Sequence, residues 1–472
     1  MILIVGAGPV GIYLTKKFLD FGEKVTLIEA GFVDRESALL TRDNYEFLYP
    51  SQMPKGVHKV GGGSNFWHAR FGEYVDIDFE RDWLGGKFIW PIDKTSLQPH
   101  YDNVAKFFGE KIHSDSKFIE SFYMKERSIL GENLDLRLWR FVKPKIFLET
   151  FSNFKNNPNF TFLGGHKVEN FREENKSCVL RILLSDDKSI EIQGDYVILA
   201  CGAIAATALV ASNSTMSVSK NAGRYLMEHI ELFIGKIRLS NSQIENLGAL
   251  ILNKENCSPD GKSGVGIRLS SRIQIEKKLP QLHLELRPYY FFDRDPDTNS
   301  FIQSLKHKIS YLLMKMYEKF LRLLGLHTYG IWMKSEEIPT LQSQIISNTT
   351  KFVYKREVSQ DSKFKSLESI KLLCDLIEKT LNISIVLRKD LNSRINYGKF
   401  INWHPMNTLR MTLNSDYSVV DQNLKLNNYS YVYICSSSVF PTGSNANPTY
   451  TSLAFADRLA NKLIESIHSP IS

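Results

Sequence analysis

The sequence predicts an α/β protein with a parallel sheet at its core, and three observations carry that prediction. The chain opens on a short, wholly apolar run, Ile2–Val5, the pattern of a strand buried on both faces. A helical spacing of apolar residues follows (Ile12, Leu14, Phe18, Leu19), and Lys24–Ile28 reads as a second strand. A third apolar run, Tyr196–Ala200, begins an uncharged stretch that continues to Ser219. Interspersed Ala, Gly, Ser, Thr and Asn make it strand, turn and helix rather than a membrane span.

At 472 residues the chain exceeds the usual size of a single core, so a second domain is expected. Hydrophobic residues at 43% and charged residues at 23% exclude a disordered tail, a collagen-like fibre and a small disulfide scaffold. The net charge of +8 is mild over this length. It suits anionic substrates or membrane surfaces, and no basic arm is dense enough to argue for nucleic acid. Cys178, Cys201, Cys257, Cys374 and Cys435 are odd in number and far apart. Without a CxxC or Cys/His spacing they predict neither a metal site nor a disulfide framework, and a reducing, cytoplasmic setting is expected. The apolar opening lacks a charged leading region and a small-residue cleavage site, so it is not read as a signal peptide.

Between the first strand and its helix stands Gly6-Ala7-Gly8-Pro9-Val10-Gly11, and Glu29 closes the second strand 18 residues after Gly11. Gly6 permits the tight turn of a Rossmann-like unit. Gly8 lets backbone approach a pyrophosphate, and Gly11 lets helix pack on sheet. A phosphate there meets unpaired N–H groups and the positive end of a helix dipole. Glu29 is placed to accept from the ribose hydroxyls. This unit binds the ADP half of a dinucleotide and does not distinguish FAD from NAD.

Further blocks follow in a recognisable order. They are Gly61-Gly62-Gly63-Ser64-Asn65-Phe66-Trp67-His68, Trp90-Pro91-Ile92, Tyr196 to Ile204 and Gly223-Arg224-Tyr225-Leu226-Met227-Glu228-His229. At the far end come Trp403-His404-Pro405-Met406-Asn407-Thr408-Leu409-Arg410-Met411, Ser438-Val439-Phe440-Pro441-Thr442 and Asn447-Pro448-Thr449-Tyr450-Thr451. The ordered set resembles the glucose-methanol-choline (GMC) oxidoreductase family. The Asn-Pro-Thr form is similar to its sugar-oxidising branch, which includes pyranose oxidase and the fructose and gluconate dehydrogenases.

The resemblance implies FAD and a discontinuous Rossmann-like FAD-binding domain with a parallel sheet, from residues 1–75, 150–235 and 400–472. Residues 76–149 and 236–399 would form a smaller α+β substrate domain with an antiparallel sheet. Strand-like runs at Leu232–Leu239, Ala249–Leu252, Gly266–Leu269 and Leu282–Phe291 fit that sheet. The implied chemistry is oxidation of a CH–OH group of a sugar, sugar derivative or other alcohol, with hydride transfer to flavin N5. His404 is the candidate base, since an imidazole gains and loses a proton near neutral pH. Asn447 is the second catalytic candidate, donating to the substrate oxygen.

Cofactor contacts are expected from Gly6, Gly8, Pro9, Val10, Gly11, Glu29 and Ala30 in the first unit, and from Gly62, Gly63, Ser64, Asn65 and Trp67 in the glycine loop. Val168, Ala200, Gly202, Ser436, Ser437, Pro448 and Thr449 complete the set. The N–H groups at the start of the last helix, expected over Leu453–Ile464 with Thr449 and Thr451 ahead of it, face the flavin's N1–C2=O edge. Phe66 stands where the family's covalent members carry a flavin-linking histidine, so FAD is predicted noncovalent. Asn407 replaces a family glycine and tolerates positive φ. His229 is expected to hold the turn after Gly223. The same fold also hosts lyase chemistry with a non-redox flavin, and a non-catalytic FAD-binding homologue is the third reading.

Apolar residues at spacings of three and four from Ile302 to Leu324, with Lys306, Lys308, Lys315, Lys319 and Arg322 between them, predict an amphipathic helix. It either packs on the substrate domain or makes a peripheral membrane contact.

Overall fold

The opening apolar run forms β1 (Ile2–Val5), the central strand of a five-stranded sheet. It lies between β2 (Val25–Glu29) and β10 (Tyr196–Leu199), with β6 (Phe160–Gly164) and β18 (Val432–Ile434) at the edges and every pair parallel. Covered on both faces, these strands need apolar residues at nearly every position, and β1 and β10 supply them. The structure is a computed structural model that describes residues 1–34, 45–47, 58–110, 114–184, 188–213, 220–251, 263–288, 313, 316–347, 352–395 and 404–469.

Three helices pack together, with α1 (Pro9–Asp20) on β1 and β2, and α5 (Pro448–His468) between α1 and α2 (Lys94–Phe107). Asp457 of α5 joins them. Its carboxylate accepts from Tyr13 Oη at 2.9 Å and Lys17 Nζ at 2.9 Å on α1, and from Asn103 Nδ2 at 2.9 Å on α2, and pairs with His100 Nδ1 of α2 at 2.8 Å. Helix α5 starts at Pro448 rather than Leu453, because proline's fixed φ and missing N–H suit a first helical position. Thr449 and Thr451 therefore belong to its first turn. The uncharged stretch from Tyr196 forms β10 and α3 (Gly202–Ser212), as expected, with 214–219 outside the described residues.

The second large sheet is antiparallel. In order it runs β17 (Ile385–Leu387), β11 (His229–Ser240), β14 (Leu326–Glu336), β13 (Leu282–Pro288), β12 (Ser263–Leu269), β5 (Leu134–Phe141) and β4 (Arg70–Phe71). Its two faces follow the period of two. Leu232, Met333, Leu284 and Ile267 stand in register and pack on Ile370, Leu373, Cys374 and Ile377 of α4 (Gln360–Leu381). The adjacent row, Glu231, Lys334, His283 and Arg268, points the other way. One face makes a core and the other offers charge.

Within the run Ala249–Leu252, the described residues Ala249, Leu250 and Ile251 do not form a strand. Gly248–Leu250 forms a 3₁₀ turn after a left-handed Gly248, Ile251 makes a single bridge to Leu286, and Leu252 lies outside the described residues. β13 is described to Pro288, with 289–291 outside. β4, from the 1–75 segment, pairs in the antiparallel sheet and carries Arg70 to it. Of the amphipathic 302–324 stretch, Leu313 and residues 316–323 are helical, and 302–312 and 314–315 lie outside the described residues. No helix among the described residues is long and apolar enough to cross a membrane. Cys178, Cys201, Cys374 and Cys435 are free thiols, and Cys257 is outside the described set.

Candidate active site

Glycines define the first half of the site by what a side chain would meet. A Cβ on Gly6, whose φ is +103°, would lie 2.5 Å from the Cys201 Cα, and one on Gly11 would lie 1.9 Å from the Gly6 carbonyl oxygen. These two are glycines for packing. Gly8, Gly63 and Gly202 face open space within 4 Å of the same constructed atom. Gly8 caps α1 with no side chain on its N–H groups, and Pro9 fills the first helical position. The glycine loop sits on this turn: Gly61 N donates to Ala7 O at 2.8 Å, and a Cβ on Gly62 would come within 3.1 Å of the Gly8 Cα.

Glu29 is buried at the end of β2, its carboxylate accepting from Ala7 N at 2.8 Å and Gly31 N at 2.9 Å. Burial pushes its carboxyl up, against the N–H groups of Gly31, Ala7 and Ala30, which pull it down. Its remaining lone pairs are the ones left for a ribose. Several other predicted contacts shape the loops. Ser64 Oγ donates to Gly61 O at 2.7 Å, and Asn65 Nδ2 to Val60 O and Gly62 O at 3.1 and 2.9 Å. Trp67 Nε1 donates to Pro144 O at 2.9 Å. Val168 is buried in β7 (Lys167–Glu174), and Ala200 closes β10 with its N–H on Val5 O. Ser436 Oγ caps the 3₁₀ turn Ser437–Val439, and Ser437 Oγ donates to Pro405 O at 2.7 Å, fastening the loop that carries His404. Asn407 holds φ +77°, so the turn survives without glycine.

The catalytic candidates are each anchored to the antiparallel sheet, His404 through His229 and Asn447 through Lys334. His404 and His229 face each other, Nδ1 to Nδ1, at 2.9 Å, and His229 Nε2 lies 3.2 Å from Gly443 O. A carbonyl only accepts, so His229 Nε2 carries a proton. Burial holds His229 well below the usual imidazole range, and a neutral His229 then has a bare Nδ1. The shared proton must therefore sit on His404 Nδ1, leaving His404 Nε2 as a lone pair. Burial, then the Lys334 charge, keeps His404 neutral as well. Its backbone N–H donates to Glu228 Oε2 at 2.9 Å, and Glu228 Oε1 accepts from Tyr354 Oη at 3.0 Å. His229 thus contacts the His404 ring, a placement beyond the turn-holding expected of it.

Asn447, the N-cap of α5, accepts at Oδ1 from Lys334 Nζ and donates from Nδ2 to Arg70 O at 3.3 Å. A backbone carbonyl only accepts, so the Arg70 contact fixes the carboxamide's orientation. Arg70 pairs with Glu285, and its guanidinium stacks 3.6 Å from the Trp139 ring centroid. A cleft here is lined by Arg70, Arg137, Trp139, His283, Lys334 and Asn447 among others. Among the described residues, neither amide atom of buried Asn445, also in its wall, has a hydrogen-bond partner. Lys334 and Arg70 escaped the sequence reading, since single charges in strands carry no motif. The available signal was Lys334-Ser335-Glu336, a polar run ending a strand that is uncharged over Tyr329–Met333.

Residues 378–456 match the GMC oxidoreductase family. This carboxy-terminal segment, which includes His404 and Asn447, carries the likeness to that family. The GMC segment is accompanied by a weaker likeness to a curated protein, 2-methyl-1,2-propanediol dehydrogenase of Mycolicibacterium austroafricanum. The two are 26% identical over 132 residues, 23% of this chain and 24% of that protein, so the match spans about a quarter of the relative's length. Across the whole chain the fold is that of pyridoxine 4-oxidase from Mesorbium loti, with a TM-score of 0.61, 14% identity and 99% of both chains covered. Formate oxidase gives a TM-score of 0.58 at 14% identity, over 99% of this chain and 98% of that one. These shared architectures agree with a parallel sheet beside an antiparallel one.

Proposed function

We propose that the protein is an FAD-dependent oxidoreductase that converts a CH–OH group of a sugar, sugar derivative or other alcohol to a carbonyl. The carrying observation is the 2.9 Å Nδ1–Nδ1 contact of His404 with His229, which in this reading leaves His404 Nε2 unprotonated, together with the Asn447 carboxamide held by Lys334 and the Arg70 carbonyl. The residues present fit FAD: a glycine cradle open at Gly8, Gly63 and Gly202, an uncapped helix start and a buried Glu29. Gly8, Val10 and Gly11 would hold the pyrophosphate, Glu29 the ribose, and the loop around Gly62 and Gly63 with the start of α5 the ring.

When bound, FAD supplies the acceptor for the carbon-bound hydrogen and its electron pair. His404 Nε2 takes the hydroxyl proton. His229, hydrogen-bonded behind it, prevents the ring from turning. Asn447 Nδ2, held by Lys334 on its other side, has a second N–H to offer the substrate oxygen as charge develops there. Replacing His404 with alanine is expected to slow anaerobic single-turnover flavin reduction by about 10²–10⁴-fold while FAD stays bound. Reduction at the wild-type rate in that variant removes His404 from the chemistry.

FAD is held noncovalently in this reading, since Phe66 offers no nucleophile, and acid precipitation should leave the flavin in the supernatant. The protein works as a cytoplasmic enzyme with a peripheral membrane contact. Met316, Phe320, Leu323 and Leu324 expose apolar surface beside Lys319 and Arg322, which supports that placement.

A further inference from the structure

We propose that Arg70, Arg137 and Lys334 form an anion-recognition subsite, so that the alcohol oxidised carries a carboxylate or a phosphate ester near its reacting carbon. This inference rests on the oxidoreductase reading for the word "oxidised" and on geometry for the rest.

The cleft beside Asn447 has three cationic side chains and no carboxylate among its lining residues. The carboxylate that reaches it from the sheet side is Glu285, which is buried and already divided between Arg70 and Arg287, with His283 Nε2 at 2.9 Å. Burial pushes Glu285 up, but Arg70, Arg287 and His283 outweigh it and hold it well below the usual carboxylate range. Its negative charge is therefore permanent and already spent. Arg137 donates to the Glu73 carbonyl at 2.7 Å, and Asp78 and Asp115 act on it from behind. Among the described residues, Lys334 has no carboxylate in hydrogen-bond contact and its amine meets the neutral Asn447 carboxamide alone; its cross-strand neighbours are Glu231, partly buried and paired with Arg287, and His283. Burial first, and the Arg70 and Arg137 charges after it, bring Lys334 down to about 7 despite Glu231 and Glu285. A buried cation in that condition lacks counter-charge.

The geometry suits an oxyanion. The Arg70 guanidinium lies 3.6 Å from the Trp139 ring centroid and gives Nη2 to Glu285, and a guanidinium has further N–H donors beyond that one. Lys334 keeps two N–H groups beyond the one given to Asn447. Because Lys334 also holds Asn447, an anion seated on it sets the distance from the charged group to the carboxamide that receives the reacting oxygen. The charged group and the carbinol are then read by one side chain.

The test uses FAD-loaded protein and two probes that cannot be oxidised, oxalate and inorganic phosphate, titrated by calorimetry. Saturable binding of at least one is expected, weakened tenfold or more in Lys334→Met and in Arg70→Gln and largely kept in Lys334→Arg. Preference for oxalate assigns a carboxylate, and preference for phosphate assigns a phosphate ester. Absence of binding by both probes, or equal affinity in both charge-removing variants, overturns the subsite. A loss of FAD affinity in Lys334→Met without a change in anion binding also overturns it, since the cations then serve the cofactor. Anaerobic bleaching with glycolate against ethylene glycol, and glycerol 3-phosphate against glycerol, separates the two claims. Equal efficiency for charged and uncharged partners sinks the subsite and leaves the oxidoreductase standing. Anion binding without bleaching by any carbinol sinks the oxidation and leaves the subsite.

Discussion

The parallel and antiparallel sheets serve the site by different means. The parallel sheet contributes backbone: turns at Gly6–Gly11 and Ala200–Gly202 where the absence of side chains is the functional feature. The antiparallel sheet contributes side chains, Arg70, His229, His283 and Lys334, projected from one polar face. A parallel sheet buried on both faces has no side-chain face to lend, so its ligand chemistry moves to the strand ends. An antiparallel sheet with one free face can place charge anywhere along it. The first kind of site tolerates little change of shape, whereas the second is sensitive to protonation.

The largest expected effect tests the side-chain half. His229→Ala removes the acceptor that keeps the His404 lone pair outward, and flavin reduction is expected to slow by about 10²-fold or more with FAD affinity unchanged. His229→Gln, which retains an acceptor oxygen, should recover part of the rate and shift the pH profile. Recovery by His229→Leu to the same degree would reduce His229 to a packing residue. The backbone half is separated by two alanine substitutions. Gly11→Ala drives a methyl into the Gly6 carbonyl and is expected to cost about 1–3 kcal/mol, read as a lower Tm without cofactor. Gly8→Ala has room in the free protein, so its Tm should hold while FAD binding weakens roughly tenfold or more. Equal behaviour of the pair would erase the distinction between packing glycines and cradle glycines.

The smallest effect concerns the joint between helices. Burial pushes Asp457 up, but bonds from His100, Asn103 and Lys17 prevail and bring it down to about 2, below its ordinary 3.8. A depressed carboxyl stabilises the fold fully above its unfolded value, and that contribution is lost as the pH falls through the folded value. Asp457→Asn is expected to cost roughly 2 kcal/mol at neutral pH and to flatten the acid limb of a Tm-against-pH curve below pH 4. An unchanged acid limb would show that the α1–α2–α5 contact does not depend on this charge.

The backbone half was legible because its signal is local. Gly6 to Gly11 and Glu29 lie within thirty residues, and each glycine has its own steric reason. His404 and Asn447 were legible as parts of blocks that resemble a family, not from their own chemistry. Lys334 and Arg70 were not, since each reads alone as an ordinary strand residue and gains meaning only when β4 and β14 enter one sheet. His229 was underread for the same reason: its partner is 175 positions away. The start of α5 was misplaced because apolar spacing marks the buried face and not the Asn447-Pro448 cap.

The central claim is that flavin lies between the glycine cradle and the imidazole–carboxamide pair. It is tested most directly by titrating cofactor-free protein with FAD and following flavin fluorescence. Saturating uptake of one FAD per chain is expected, with anaerobic bleaching by a carbinol in wild type and not in His404→Ala. A folded protein that takes up no FAD would contradict the account.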